Sequence, residues 1–597
     1  VSNRASAAPD PLSVGKAQHA FDHLGSIGEQ AEAALGSGAN ILYVTGIGGL
    51  GYGGIPPEQE WTASKASAKR YLEKAHVGGM RLAIGYVCAT SIVKLKDFDA
   101  HWLASLRSQM RSLPAEWLQK DAKGKPLPSW YGGDYSPACM SNPDWQTYER
   151  WIIAAQLDCG CDGIFFDNPT VHPQGCYCEF CMQDFAKYLA KDHSVAPATF
   201  AKNPSIETLR AFASSHPDLF LRFRCTIAPN FFRNMRAFAR KHKAGALITA
   251  NNSLNSADVL YSQCRAYAYN IFEMSQAEDF VVVEDMSSQP RMLPGGAMIE
   301  YGPMYKILKG ISHGKPVAAV TIADSDYHTA PNLMRLAMAE ASANGGSYLM
   351  WPTWPESQRQ RMIQGIAPET SLLKSLTGVL NDGDQRSDVV LFLPFRNWLQ
   401  TNHCAACDIS ADLTRQNIQY TVIAEDALSQ NGKPLRLPAA LKTARCLVAN
   451  RADDFIPAEK SALEEFKKRG GVLVTADQPD WRKALKAAIG MPGVSLTGPS
   501  SVRVTVFDQP HRTIVHLINL NVIKKSSFED TVQPAKKLTL SISTPFKRMK
   551  AVKLYTADSS FSSDAFPFQS QATKDGSRVT VEIPELMIQS VLVLQER

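Results

Sequence analysis

Three thiols stand within six residues at Cys176-Tyr177-Cys178-Glu179-Phe180-Cys181, close enough to converge on one ion. A structural zinc site takes four ligands in a closed tetrahedron. Cys139, in Ser136-Pro137-Ala138-Cys139, is the fourth donor we expect, with Cys159 and Cys161 as nearby alternatives. Four thiolates leave no open position for water, so such an ion would brace the chain and do no chemistry. The competing reading makes the same thiols free core residues, since unpaired cysteine is among the most buried residue types.

Carboxylates form the second group. Asp167 ends the apolar run Gly163–Asp167, Glu284 and Asp285 follow Phe280-Val281-Val282-Val283, and Asp324 and Asp326 follow Ala318–Ile322. Acids at neighbouring strand ends can act as general acid, general base or nucleophile. Adjacent strand residues face opposite sides, so Glu284 and Asp285 compete for one inward position. Hydrogen-bonding and aromatic side chains occupy similar places: Asn251 and Asn252, Trp351 and Trp354, Trp130, Tyr131 and Tyr135, with His172 and His328 in loops. The glycine-rich run from Gly46 to Gly54 leads into Pro56-Pro57 and not directly into a helix, which argues for a loop enclosing a substrate and against a dinucleotide fingerprint.

These residues need a scaffold, and the apolar pattern supplies one. Strand-sized runs at Ile41–Thr45, Leu82–Val87, Gly163–Asp167, Ala246–Ala250, Phe280–Glu284, Val317–Ile322 and Ser347–Trp351 alternate with helical periodicity. An eighth is expected near Tyr131–Cys139. The pattern is that of an α/β fold, a (β/α)8 TIM barrel over residues 1–385 with its working groups at the C-terminal ends of the strands. A polar stretch from Asn381 to Arg386 reads as a linker to a small doubly wound α/β unit over 386–495. Alternating β-branched segments such as Val502–Phe507 and Val579–Ile583 close the chain in an antiparallel β-sandwich over 496–597.

Composition narrows the classes further. The 63 Lys+Arg against 57 Asp+Glu leave a net charge of +6 with no long basic run, a weak basis for binding nucleic acid. No apolar run reaches the ~18 residues of a membrane span. Twelve cysteines in 597 residues are too few for a disulfide scaffold, and five of them fall between Cys159 and Cys181. The chain starts at Val1 in a polar Ser/Ala/Pro stretch. A periplasmic or secreted location is expected if an export signal preceded it, and a cytoplasmic one otherwise.

The strand Phe165-Phe166-Asp167-Asn168-Pro169, the Cys176/Cys178/Cys181 loop, the helix from Asp184 and the upstream Cys139 together resemble glycoside hydrolases of the family 42 β-galactosidase type. That resemblance implies a zinc site on Cys139, Cys176, Cys178 and Cys181, no organic cofactor, a flavodoxin-like middle unit that builds trimers, and a carbohydrate substrate. One departure matters. The glutamate that serves those enzymes as acid/base falls on Pro169, and their nucleophile would fall near Pro316–Thr321, where no carboxylate stands.

Cleaving a glycosidic bond needs one carboxyl group that is protonated and one that is ionised. The expectation is therefore a glycoside hydrolase with Asp167 as general acid/base and Glu284 as nucleophile or base. Asn251, Asp285, Asp324, His328, Trp351 and Tyr135 are the expected substrate contacts. The alternative is a carbohydrate-binding protein on a glycosidase-like fold that has lost its chemistry.

Overall fold

The computed structural model describes residues 19–22, 34–44, 47, 52–129, 132–191, 204–252, 254, 257–288, 298–323, 329–352, 354–380, 383–399, 405–425, 436–558 and 562–597. The side chains of 19–22, 258, 284–288 and 321–323 lie outside that description. Trp130, Tyr131, Asp324, Asp326 and His328 lie outside the described residues altogether.

Eight parallel strands make the first sheet: β1 His19–Asp22, β2 Ile41–Val44, β3 Leu82–Cys88, β4 Gly163–Asp167, β5 Leu247–Ala250, β6 Val281–Ser288, β7 Val317–Ala323 and β8 Ser347–Met350. Their order is β5-β4-β3-β2-β1-β8-β7-β6. A parallel bridge between Asn251 and Val282 joins the two outer strands. Strands β2, β4 and β8 are buried on both faces, which is why those runs read as continuously apolar. Ile41, Tyr43, Ile84, Phe165, Phe280, Val282, Val320 and Leu349 form one cluster on the inner face. The alternating partners Leu42, Val44, Ala83, Ile164, Phe166 and Val281 join the larger cluster under the helices.

One strand differs from the sequence expectation. The eighth is His19–Asp22, paired to β2 on one side and β8 on the other. The segment proposed near Tyr131–Cys139 instead holds Tyr135–Pro137, antiparallel to Ser91–Val93 in an excursion beyond β3. Four residues ending in an acid do not stand out as a buried strand, whereas the aromatic-rich excursion does.

A second sheet of four parallel strands runs in the order Tyr420–Ala424, Val389–Leu393, Cys446–Ala449, Val472–Thr475, flanked by helices such as Ala405–Arg415, Pro457–Lys468 and Trp481–Ile489. Two antiparallel sheets follow. One contains Val502–Gln509, Arg512–Asn519, Gln589–Glu596 and Met549–Thr556, the other Val494–Thr497, Ala535–Thr544, Gly576–Leu586 and Gln569–Thr573. They bury Val504, Leu517, Leu540, Val581 and Leu592 in one core.

The units are tied across their boundaries. Asp384–Gln385 pairs with Val502–Gln509 as an edge strand of the C-terminal sheet. Arg386 then grips Asp508 in a two-point ion pair, with nitrogen–oxygen distances of 2.8 and 2.6 Å. The buried carboxylate of Glu300 accepts from Arg415 Nε at 2.6 Å and from Arg503 Nε at 2.7 Å, joining segments that flank the first, second and C-terminal sheets. Among the described residues no helix is long and apolar enough to cross a membrane.

Candidate active site and metal centre

Asp167 is the last residue of β4 and is 7% exposed. Four side-chain donors surround its carboxylate. Tyr52 Oη and Tyr86 Oη each donate to Oδ2 at 2.5 Å, and Asn168 Nδ2 donates to the same oxygen at 2.9 Å. Asn251 Nδ2 donates to Oδ1 at 2.9 Å. An ionised carboxylate is acceptor-only, and hydrogen bonds involving a charged group are the stronger kind. This donor set fits the ionised form.

Each donor is placed by a local feature of the chain. Tyr86 lies near the end of β3 and packs against the inner cluster. Its carbonyl accepts from Gln156 Nε2 at 2.8 Å. That approach requires Gly85, because a Cβ there would sit 2.1 Å from Gln156 Oε1. Tyr52 comes from the glycine-rich segment, and its carbonyl accepts from Val93 N at 2.6 Å. Gly54, at φ +75°, lets the following backbone lie against Phe98, whose carbonyl oxygen would be 2.0 Å from a Cβ. Asn168 adopts φ +51°, a left-handed conformation that asparagine tolerates, and its carbonyl accepts from Thr90 Oγ1 at 2.5 Å. Asn251 directly follows β5, its backbone N–H donates to Phe166 O at 2.8 Å, and its carbonyl accepts from Tyr269 Oη.

Of the residues expected from the sequence, Asp167 and Asn251 therefore meet. Tyr135, 40% exposed, stands edge-on to Tyr52 with ring centroids 6.4 Å apart, so it borders the same place. Trp351 follows β8 and packs against the inner cluster together with Tyr86. Glu284 and Asp285 lie on β6, where the register with β7 shifts between Val283 and Met286. Such an irregularity re-aims side chains at a strand end, but those of Glu284 and Asp285 are outside the described set. Asp324 and His328 are outside it entirely. Asn252 instead bonds Glu278 and the Ala250 and Val282 carbonyls, and His172 lies in the cysteine loop. Sequence reasoning missed Tyr52, Tyr86 and Asn168. Tyr86 could have been found from its inward register in β3, two residues from Ile84.

The four cysteines come together in a cluster that could hold a metal ion. Cys139 Sγ lies 3.5 Å from both Cys178 Sγ and Cys181 Sγ and 3.7 Å from Cys176 Sγ. All four sulfurs fall within 4.8 Å of one another and all four residues are buried. A tetrahedral ion with metal–sulfur bonds of ~2.3 Å places sulfurs about 3.8 Å apart, whereas a disulfide needs ~2.0 Å. The cluster therefore suits a metal ion and contains no disulfide. Cys178 also caps the helix Glu179–Leu189, accepting from Cys181 N at 3.4 Å. The alternatives do not join it: Cys159 Sγ lies 3.7 Å from Lys65 O, and Cys161 is buried beside Gly85.

The whole architecture recurs in solved glycosidases. An α-L-fucosidase isoenzyme 2 from Paenibacillus thiaminolyticus superposes with a TM-score of 0.63 at 12% identity, covering 97% of this chain and 99% of that one. A catalytic mutant of the family 42 β-galactosidase Gan42B from G. stearothermophilus gives 0.60 at 12%, covering 98% of each chain. A β-galactosidase from Bacillus circulans sp. alkalophilus gives 0.57 at 11%, covering 98% and 99%. The chain thus has a family 42-like glycosidase fold. No family model and no curated protein matches it.

Proposed function

We propose that the protein is a glycoside hydrolase whose eight-stranded sheet is a (β/α)8 barrel and whose chemistry is carried by Asp167 with Glu284. The observation that carries this reading is the buried carboxylate of Asp167 at a strand end, ringed by four donors. Three donors occupy Oδ2 and one occupies Oδ1, so Oδ1 keeps a lone pair for reaction. This arrangement supports Asp167 as nucleophile or base, in place of the general acid/base role expected from the sequence. Proton delivery to the leaving oxygen then falls to Glu284, with Asp285 and Asp324 as rivals. A carboxyl separation of ~5–5.5 Å would give retention and ~6.5–9.5 Å inversion. Asn251 orients Asp167, while Tyr135 and Trp351 supply the apolar platforms on which sugar rings stack.

The same proposal makes the ion on Cys139, Cys176, Cys178 and Cys181 a structural zinc. It would hold the loop after Asp167 in place without entering the reaction. The units are taken as barrel 1–385, flavodoxin-like 386–495 and β-sandwich 496–597, with the middle one mediating a trimer.

Asp167→Asn and Glu284→Gln are each expected to abolish release of sugar from a broad panel of glycosides while leaving the fold intact by circular dichroism. Near-normal rates in either variant would overturn the assignment of that residue. Pro169, at the place of the family's acid/base, favours a second reading, a carbohydrate-binding protein without turnover. Saturable binding of an oligosaccharide with no released sugar would establish that reading instead.

A further inference from the structure

Asn168, which supplies one of the four donors to Asp167, is itself held from outside its own strand. It stands at φ +51°, a left-handed conformation that persists in a non-glycine residue where the surroundings fix it. Its carbonyl accepts from Thr170 N at 2.8 Å and from Thr90 Oγ1 at 2.5 Å, the short end of the range for a hydroxyl donor. The first bond closes a turn within the loop. The second reaches in from a segment 78 residues upstream.

Thr90 has little freedom to move. It lies fully buried in the bend between β3 and the strand Ser91–Val93. Cys88 pairs with Asp167 across β3 and β4, and Ala89 continues the ladder by donating its N–H to Asp167 O at 2.8 Å. The Ala89 carbonyl accepts from Trp145 Nε1, at 2.9 Å, on the helix Pro143–Asp158. The carbonyl of Thr90 itself accepts from Ala138 N at 2.6 Å, one residue before Cys139. Ala138 thus fixes Thr90, and the Thr90 hydroxyl fixes the turned peptide of Asn168. That peptide aims the amide that donates to Asp167 Oδ2 at 2.9 Å. A hydrogen bond to a carboxylate is of the stronger, charge-assisted kind, so its alignment bears on reactivity.

We propose that Thr90 is a positioning residue for Asp167, acting through Asn168 and carrying to the site the order of the segment that ends at Cys139. The inference rests on the reading of Asp167 as nucleophile or base. A threonine that merely satisfied its own buried hydroxyl would support the fold without any bearing on the Asn168 amide.

The test uses the full chain and compares wild type, Thr90→Val, Thr90→Ser, Asn168→Gly and the Thr90→Val/Asn168→Gly double variant on the best-cleaved glycoside. Valine keeps the bulk of threonine without its hydroxyl, and glycine keeps the left-handed backbone without the amide. Thr90→Val is expected to lower kcat about 10-fold with KM within roughly twofold, as for a weakened hydrogen bond to a charged group that acts in the transition state. Thr90→Ser should restore kcat to within about threefold of wild type. In the Asn168→Gly background Thr90→Val should change kcat by less than about twofold, because both substitutions act on one contact. A further loss of about 10-fold in that background would overturn the proposal, and so would wild-type kcat in Thr90→Val. Crystal structures read the contact without turnover. The Asn168 amide should leave Asp167 Oδ2 in Thr90→Val and stay in Thr90→Ser, and its retention in Thr90→Val would also overturn the proposal. Should the valine variant not fold, Thr90→Ala replaces it in each comparison. A wild-type chain that releases no sugar from any glycoside would overturn the hydrolase reading alone, and the crystal structures would then decide the role of Thr90.

Discussion

Replacing Glu278 by glutamine should remove an alkaline weakness built into the seam beside the candidate site. Glu278 is fully buried, and burial pushes its carboxyl up to about 8, against the opposing pull of Asn252 and the Lys315 cation. One oxygen accepts from Asn252 Nδ2 at 3.1 Å, while among the described residues Glu278 Oε1 and Asn252 Oδ1 find no hydrogen-bond partner. The same Asn252 amide bonds Val282 O, where β5 and β6 meet. A carboxyl whose folded-state value lies above its ordinary 4.5 contributes stability that is whole below that pH and lost as pH rises through about 8. At ~1.4 kcal/mol per pH unit, that interval corresponds to roughly 5 kcal/mol as an upper figure. Glutamine copies the neutral form and cannot ionise. Urea unfolding followed by tryptophan fluorescence at pH 5 and pH 9 should show the wild type losing about 3–5 kcal/mol more than Glu278→Gln over that range. Other buried acids such as Glu149 and Glu369 are common to both proteins and cancel. Identical pH dependence in the two proteins would refute the reasoning.

Tyr52→Phe and Tyr86→Phe each delete one donor to Asp167 Oδ2. At about 1.5–3 kcal/mol for a hydrogen bond to a charged group, kcat should fall roughly 10–150-fold with KM nearly constant, as steady-state kinetics on the best glycoside would report. A rise in KM alone would place the tyrosines in substrate binding instead. Cys139→Ser should lower the zinc content measured by elemental analysis well below one per chain and reduce the melting temperature, whereas Cys159→Ser should do neither. Sedimentation velocity at micromolar concentration should show a trimer, and a monomer there would remove the assembly inferred for the middle unit.

The parts of the fold that could be read from the sequence are those where burial on both faces leaves a continuous apolar run. Val389–Leu393, Cys446–Ala449 and most strands of the first sheet belong to that group, and Tyr135–Pro137 misled because aromatic residues also pack outside a sheet. His19–Asp22 and Tyr420–Ala424 escaped notice because short strands with polar members are recognised only by their neighbours. The site divides in the same way. Asp167 and Asn251 are legible as polar residues closing apolar strands, and Cys139 as a thiol at the right chemical distance. Tyr52 and Tyr86 are not, since their meaning depends on two segments 34 residues apart converging on one oxygen.

Glu300 and the Asp384–Gln385 strand decide how this polypeptide can be cut. A fragment ending after the linker would retain Glu300 with both arginines gone, an uncompensated anion in a closed surface, and an edge strand torn from its sheet. A fragment beginning at the C-terminal sheets would lack its outermost strand and the Arg386 clamp on Asp508. Separating the chain at either boundary is therefore expected to destabilise both pieces, because each keeps a charge or an edge strand whose partner has left with the other.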